Sequence, residues 1–338
     1  MKQNDTLSAL SSNRQCIMGA ASLMVLFCHN TVLFHSDVLS WINRLICNFA
    51  TIGVDIFLLC SGIGCCYSLS SNHSVAGFYK KRALRVLLPY GCIIGIWIII
   101  AVLIKEGTLG ELLHKYSLHS FFSTGNTLEW YVPALLALYI VSPFLYYVLQ
   151  KHSKSYVSMI VAVVVITIVL SLRPYKTIRV INAFFISRIP IFMLGMYIGK
   201  NYLLGTYLSP VANHSRTFKL MEFLILLVIF LLNYMFNPVN YEVVSHLIFI
   251  PISFLICCNL NIILPTCCEK ICSYLGQYTL EIYLIHDKVF SLVLKRFAFE
   301  NSQSVFFSII IYFCSVFISI IIAILAGKAL SFARRKIA

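Results

Sequence analysis

Charged residues are scarce in this chain. They make up 11% of the 338 residues, hydrophobic residues make up 60%, and the mean hydropathy is +0.88. A soluble globular domain carries roughly 25% charged residues. So few charges cannot cover the water-facing surface of a domain this large. The composition therefore excludes an ordinary soluble fold and indicates that lipid is the solvent for most of the chain.

Paired C-x-x-C motifs are lacking as well. The chain has thirteen cysteines, but most of them lie inside apolar runs, as Cys65-Cys66 and Cys257-Cys258 do. A buried thiol packs as a small hydrophobic group. We therefore expect no structural disulfide and no zinc or other metal site.

Long polar segments are also missing, so we expect one membrane domain over residues 1–338 and no separate soluble domain. A helix needs about 20 apolar residues to cross the hydrocarbon core. The stretch from Cys16 past Phe34 is too long for the apolar part of a signal peptide, and we expect it to be retained as a first span. The fold class predicted is an all-α bundle of about ten spans, near residues 16–36, 45–67, 86–104, 130–149, 156–173, 180–199, 218–237, 243–264, 274–295 and 305–328.

The basic residues are distributed unevenly between the two sides of these spans. With the N-terminus inside, Lys and Arg on the cytoplasmic side outnumber those on the other side by about two to one, although Arg173, Lys176 and Arg179 fall on the opposite side. This bias predicts that both termini are cytoplasmic. It also explains the net charge of +14 by loops beside anionic lipid, so we do not expect nucleic acid as a partner.

Several ionisable residues interrupt the apolar spans. Such groups are costly in lipid and usually face the interior of the bundle. Asp55 and Arg188 have opposite charge and are predicted to neutralise each other. His246 is expected to have a structural role, and no role is assigned to Asp287 and Lys288. The full set is His29, Asp55, Arg188, His246, Glu281, His286, Asp287 and Lys288.

The depth of three polar groups suggests a route through the bundle. His29 lies about 20 Å along the first span at ~1.5 Å per residue. Ser61 lies along the second span, and Arg82 and Arg85 lie at the cytoplasmic start of the third. This order suits an anionic donor that enters from the cytoplasm and places its reactive end toward the far side.

Short segments spread over most of the chain carry a family resemblance. They are MGAASLMVLFCHN (18–30), VDIFLLCSGIGCCYSL (54–69), FYKKRALRVLLPY (78–90), LEWYVPALLALYIVSP (128–143), RIPIFMLGMYIGK (188–200) and LGQYTLEIYLIH (275–286). In this order and spacing they resemble acyltransferase family 3, membrane enzymes that modify bacterial surface and secreted glycans. The resemblance implies an enzyme of the inner membrane that transfers an acyl group, usually acetyl, from cytoplasmic acyl-CoA to a sugar hydroxyl, with acyl-CoA as co-substrate and no bound cofactor.

One position departs from the family pattern. The family commonly has a basic residue eleven positions before the histidine of the first span, and Met18 stands there in this chain. Arg14 lies one helical turn earlier on the same face. Either Arg14 replaces the missing cation, or that role is lost.

The chemistry of the residues agrees with the roles that the resemblance implies. Arg82 and Arg85 share a helical face, and guanidinium groups bind phosphate in a bidentate manner, so they are predicted to bind the donor. A sugar hydroxyl needs a base, and the prediction assigns that role to His29. The alternative is that His29 carries the acyl group covalently in a two-step transfer. Asp55 or Glu129 is expected to orient this imidazole or to hold the acceptor.

The remaining candidate residues are expected to line the cavity. Ser61 lacks the G-x-S-x-G context of a hydrolase nucleophile and is expected to bond the donor or the backbone. Gly62 is expected to allow a close backbone approach or a helix break. Trp130 suits either an aromatic belt or stacking on a sugar. Glu281 and His286 are expected to serve in structural pairing or as cavity lining.

Two other functions fit the same composition. A polysaccharide exporter also has many spans with buried charges, although no inverted repeat is visible in the sequence. A purely structural membrane subunit is the third possibility. Glycan transport without consumption of acyl-CoA would favour the exporter, and a dispensable His29, Asp55 and Arg188 would favour the structural subunit.

Overall fold

The computed structural model describes residues 13–29, 37–71, 74–173, 175–204, 216–236, 241–297 and 305–337, and every regular element in these ranges is helical. The predicted all-α class is therefore confirmed for the described chain. The helices are α1 Arg14–Cys28, α2 Asp37–Ala50, α3 Ile52–Ser71, α4 Val75–Leu103, α5 Leu109–Lys115, α6 Leu118–Thr124, α7 Tyr131–Lys151, α8 Ser153–Ser171, α9 Lys176–Phe184, α10 Ile189–Leu203, α11 Arg216–Phe236, α12 Tyr241–Ile263, α13 Thr266–Leu275, α14 Thr279–Phe297 and α15 Val305–Ile337.

The predicted count of ten spans is not confirmed. Within the described ranges, seven helical segments are long and apolar enough to cross a membrane. The other three predicted spans correspond to α1, α11 and α14. The apolar parts of α1 and α11 are shorter, and α14 carries acidic and basic residues along its length. The predicted first span also extended to residue 36, and its residues 30–36 lie outside the described chain.

Two of the seven segments contain a break. Val38–Ser71 consists of α2 and α3, which meet at Thr51, and Lys176–Leu203 consists of α9 and α10. Between α9 and α10 lies a single 3-10 turn, Ile186–Arg188. A 3-10 turn inside a span changes the direction of the backbone and often marks a functional position. This break places Arg188 inside the bundle.

Helix α3 is the centre of the bundle. Most of its residues are buried on every side, from Ile52 at its start to Leu69 near its end. It packs most extensively against α10, and it also contacts α1, α12, α7 and α4. An apolar residue on every face is what a helix surrounded by other helices requires.

The α3–α10 contact depends on glycine. A Cβ at Gly62 would overlap the carbonyl oxygen of Phe192, and a Cβ at Gly195 would overlap that of Leu59. Gly195 and Gly199 form a G-x-x-x-G pair, the spacing that lets two membrane helices approach closely. Gly62 therefore has the close-approach role that was one of its two predicted roles, and α3 continues through it without a break.

A short helical segment covers one end of the bundle. Helices α5 and α6 follow the end of α4, and Tyr116 lies between them. The Tyr90 hydroxyl donates to the Tyr116 carbonyl oxygen at 2.6 Å, and Trp97 Nε1 donates to the Tyr116 hydroxyl at 2.8 Å. These two buried bonds fix the connection between α4 and α7.

We expect Gly195→Ala to destabilise the protein, because the new methyl group meets backbone that cannot move without separating α3 from α10. Overpacking of this kind costs about 1–3 kcal/mol. Gly91→Ala on α4 is the matched control, since nothing lies within 4 Å of a Cβ there. Thermal unfolding of both variants in detergent measures the difference, and equal unfolding temperatures would contradict the packing role of Gly195.

Candidate functional site

Three arginines lie beside one small cavity near the start of α4. Ser74 caps this helix by accepting from the amide of Gly77 at 3.3 Å. Arg82 and Arg85 follow on one face, and Arg14 at the start of α1 lies opposite. The cavity has a volume of about 50 Å³, and we call it the cationic cavity. Its polar lining is Arg14, Ser61, Arg82, Arg85, Tyr131, Tyr139, Thr279 and Tyr283.

Arg82 is held firmly in this lining. It is 8% exposed, and one of its terminal nitrogens donates to the carbonyl oxygen of Gly64 at 2.7 Å. Its guanidinium carbon lies 5.2 Å from the centre of the Phe78 ring and 4.9 Å from that of Tyr139. Because aromatic faces attract cations, these rings fix the guanidinium plane in an apolar surrounding.

Arg14 comes to the same place from α1. Its guanidinium group and that of Arg82 both lie within 4 Å of the point where a Cβ would stand at Gly64. Met18 also lines this cavity, but it contributes no charge. Arg14 therefore brings a cation to the cavity where Met18 brings none.

A second and larger cavity lies toward the other end of α1. Its volume is about 320 Å³, which is in the usual range for small-molecule sites. We call it the histidine cavity. Its lining includes Cys28, His29, Thr51, Thr127, Glu129, Trp130, Arg188, Tyr283, His286 and Asp287.

Two histidines meet in the histidine cavity. His29 is the residue at the C-terminal end of α1, and it is exposed. His286 lies on α14 and is 1% exposed. The centres of the two rings are 4.6 Å apart, and the rings meet edge to face. The structure therefore brings the predicted His29 and His286 together on one wall.

Glu129 reaches the same cavity from a strained turn. Its φ is +52°, a left-handed conformation that a non-glycine residue adopts at a cost of about 1 kcal/mol or more. Asn126 supports the turn, because its amide nitrogen donates to the Lys115 carbonyl at 2.6 Å and its oxygen accepts from the Leu128 amide at 3.1 Å. The Glu129 carboxylate forms a buried ion pair with Lys288.

Arg188 lies at the wall of the histidine cavity beside the break between α9 and α10. The Arg188 Nε lies 3.7 Å from a carboxylate oxygen of Asp55, which confirms the predicted neutralisation. A terminal nitrogen of Arg188 donates to the Ala183 carbonyl at 2.6 Å, which satisfies one of the acceptors that a helix end leaves free. The guanidinium carbon lies 4.8 Å from the centre of the Trp130 ring.

Among the described residues Asp55 has two charged or ring partners, and neither is His29. Besides Arg188, it contacts His246, whose Nδ1 lies 3.0 Å from the same carboxylate oxygen. His246 Nε2 lies 2.6 Å from a terminal nitrogen of Arg188. All three side chains are buried. Asp55 therefore holds Arg188 and His246, and of the two acids it is Glu129 that lines the histidine cavity.

Glu281 lies apart from both cavities in the described chain. Its carboxylate accepts from Arg334 of α15 at 3.2 Å, and this pair joins α14 to α15. Two roles were predicted for Glu281, structural pairing or cavity lining, and the structure shows the pairing.

Tyr283 lines both cavities. Its hydroxyl accepts from the Tyr131 amide at 3.3 Å, and this amide belongs to the first turn of α7, where no intrahelical acceptor exists. The two tyrosine rings are 5.2 Å apart between centres. Tyr283 thus lies between Arg14, Arg82 and Arg85 of one cavity and His29 and His286 of the other.

Three of these residues had no place in the predicted site. Lys288 was assigned no role, His246 was expected to be structural, and Tyr283 was not singled out. The presence of Glu129 among apolar residues was a signal for Lys288, because a buried acid requires a buried cation. Tyr283 carried no such signal, since tyrosines are frequent in this chain.

The comparisons with known proteins agree with this architecture. A family model described as an acyltransferase domain matches residues 18–328. A search of curated proteins and a search of solved structures each found no significant match. The family match spans nearly the whole chain and includes every lining residue of both cavities except Arg14, which lies before its start. This helical membrane protein therefore belongs to acyltransferase family 3.

Proposed function

We propose that this membrane acyltransferase moves an acyl group, most simply acetyl, from cytoplasmic acyl-CoA to a hydroxyl of a glycan. The observation that carries the proposal is the pair of cavities that share Tyr283, with Arg14, Arg82 and Arg85 at one and His29 and His286 at the other. The donor binds at the cationic cavity, and the acceptor binds at the histidine cavity. In this arrangement both termini lie in the cytoplasm and the membrane is the inner membrane.

The cationic cavity suits the phosphates and the narrow thiol arm of CoA. Guanidinium groups bind phosphate with two parallel hydrogen bonds, and Arg14, Arg82 and Arg85 present three of them around one opening. A volume of about 50 Å³ is too small for a nucleotide. The nucleotide therefore stays outside while the thioester extends past Ser61 toward Tyr283.

His29 acts at the reacting bond in the histidine cavity. A sugar hydroxyl is a weak nucleophile at neutral pH and needs a base, a role for which imidazole is well suited. His29 either accepts this proton or carries the acyl group in a two-step transfer. In both routes the C–S bond of the thioester breaks, a C–O bond forms at the acceptor, and the thiolate of CoA takes up the released proton.

Glu129 and Trp130 hold the acceptor. The carboxylate lines the cavity, and its Oε2 has no hydrogen-bond partner in the described chain, so it can accept from sugar hydroxyls. Trp130 presents an aromatic surface beside it. Asp55 acts one step away, because it positions Arg188, which contacts Trp130 and lines the same cavity.

We expect His29→Ala to reduce transfer of label from acetyl-CoA to membrane glycans by about 10²–10⁴-fold, the usual contribution of a positioned base. The wild-type measurement itself tests the proposed function. Glycan export without consumption of acetyl-CoA would favour an exporter instead. His119→Ala, on the exposed face of α6, is the control, and a His29 variant as active as this control would remove His29 from the mechanism.

We expect Arg82→Gln combined with Arg85→Gln to raise the KM for acetyl-CoA by about tenfold or more, since each charge-assisted hydrogen bond contributes about 1.5–3 kcal/mol. Lys80→Gln removes a cation from the same helix outside the cavity and should leave KM unchanged. Arg85→Gln alone tests the charge without releasing the Gly64 carbonyl. An unchanged KM in both arginine variants would contradict donor binding at this cavity.

We expect Glu129→Gln to destabilise the protein by about 3–5 kcal/mol, because it leaves Lys288 buried without its counter-charge. Adding Lys288→Met removes the stranded cation, so thermal unfolding should return toward the wild-type temperature. Transfer to glycan should nevertheless stay low, because the Glu129 carboxylate that is proposed to hold the acceptor sugar is still absent. Full recovery of transfer in the double variant would show that the pair serves folding alone.

A further inference from the structure

His286 is held in one orientation by its own helix. Its Nδ1 lies 2.7 Å from the carbonyl oxygen of Tyr283 and 3.2 Å from that of Ile282. The Phe290 and Tyr283 rings lie 5.8 and 5.9 Å from the imidazole, between ring centres. The ring is therefore fixed by two backbone acceptors and by packing on two sides.

These contacts determine where the proton of the imidazole resides. A carbonyl oxygen only accepts hydrogen bonds, so Nδ1 must be the nitrogen that carries hydrogen. In the neutral ring, Nε2 then presents a lone pair. This Nε2 is buried and has no hydrogen-bond partner in the described chain.

An unpaired buried acceptor of this kind costs free energy and asks for an explanation. His286 lines the histidine cavity, where the acceptor hydroxyl is proposed to bind. A hydroxyl donor from a ligand would satisfy Nε2. His29 differs, because no side-chain hydrogen bond within the described ranges fixes its tautomer, and it stands at a helix end.

We propose that His286 is a second catalytic residue and that its Nε2 is the base that removes the proton from the acceptor hydroxyl. This assignment rests on the proposed acyl transfer. His29 then takes the second of its two proposed roles and carries the acyl group. A ring nitrogen of His29 bonds to the acyl carbon as the C–S bond breaks, and the N–H proton of that ring goes to the thiolate of CoA.

In the second step the acceptor O–H bond breaks toward Nε2 of His286, while the hydroxyl oxygen bonds to the acyl carbon and the bond from that carbon to His29 breaks. Nε2 then returns its proton to the released nitrogen of His29. The Nδ1–H stays on the Tyr283 carbonyl throughout, and the carboxylate of Asp287, which lines the same cavity, offsets the transient positive charge.

The test compares two acceptors in membranes that contain the full chain, with labelled acetyl-CoA as donor. One acceptor is the glycan of the membranes, which needs a base. The other is hydroxylamine, an uncharged nucleophile at neutral pH that needs none. We expect His286→Gln to reduce kcat for glycan acetylation by about 10²–10⁴-fold, with the KM for acetyl-CoA and the rate of hydroxylamine acetylation close to those of wild type.

The controls separate a chemical role from a structural one. His119→Gln should retain both reactions. If His286→Gln lowers the unfolding temperature, His286→Asn replaces it, because the Asn amide can still donate to the Tyr283 carbonyl. Equal loss of both reactions in a folded variant, or full retention of glycan acetylation, would overturn the proposal. Failure of the proposed function looks different, since wild type would then acetylate neither acceptor faster than membranes without the protein, where hydroxylamine reacts slowly with acetyl-CoA by itself.

Discussion

Neutralisation of charge inside an apolar bundle is the constraint on which the rest of this structure depends. Asp55 lies on the central helix α3, where none of its surface is exposed. A carboxylate in such a place is tolerated only with a partner. Arg188 supplies the charge, and His246 adds a contact to the same oxygen. Arg188 stands at the break between α9 and α10, so the buried positive charge lies where the helix is interrupted.

The same requirement produces two further ion pairs, both of which involve α14. Glu129 pairs with Lys288 and joins the turn before α7 to α14, and Glu281 pairs with Arg334 and joins α14 to α15. Helix α14 carries an acid or a base in both of these contacts, which is why it is too polar to resemble a simple span. Glu281, His286 and Lys288 of this helix are buried against protein, as charged and polar residues of membrane helices usually are.

The two cavities differ in chemistry because different parts of the same helices line them. Arginines from the start of α1 and from α4 meet at one, and residues from the end of α1, the turn before α7 and the middle of α14 meet at the other. Tyr283 lines both cavities, between the three arginines of one and the two histidines of the other. For the proposed reaction this separation is useful, because phosphate is bound at one depth and proton transfer takes place at another.

Some helices were predicted well from the sequence and others were not, for identifiable reasons. Helices α4 and α15 are long apolar runs, and the predicted spans 86–104 and 305–328 found them. The polar start of α4 at Val75 and the basic end of α15 at Ile337 were not part of those predictions. The junction of α2 and α3 at Thr51 and the 3-10 turn before Ile189 were missed, because hydropathy remains high across both breaks. The first predicted span extended past Cys28, since apolar residues continue there after the described helix has ended.

The candidate site was foreseen as a set of residues but not as a set of contacts. Family-like segments placed His29, Arg82, Arg85, Glu129 and His286 among the candidates, and Asp55 with Arg188 followed from opposite charge alone. The partner of Glu129 did not follow, because Lys288 is 159 positions away along the chain. Which acid faces the histidines was also undecided, and the structure places Glu129 in that cavity.

The sequence by itself determined that this chain spans a membrane and belongs to acyltransferase family 3, because composition and local motifs need no knowledge of distant contacts. Only the tertiary structure decided that Arg14 joins Arg82, that Asp55 holds Arg188, and that His286 lines the same cavity as His29. Each of these facts joins helices far apart in the chain. Such pairings are set by how the helices pack, and one-dimensional patterns do not encode that packing.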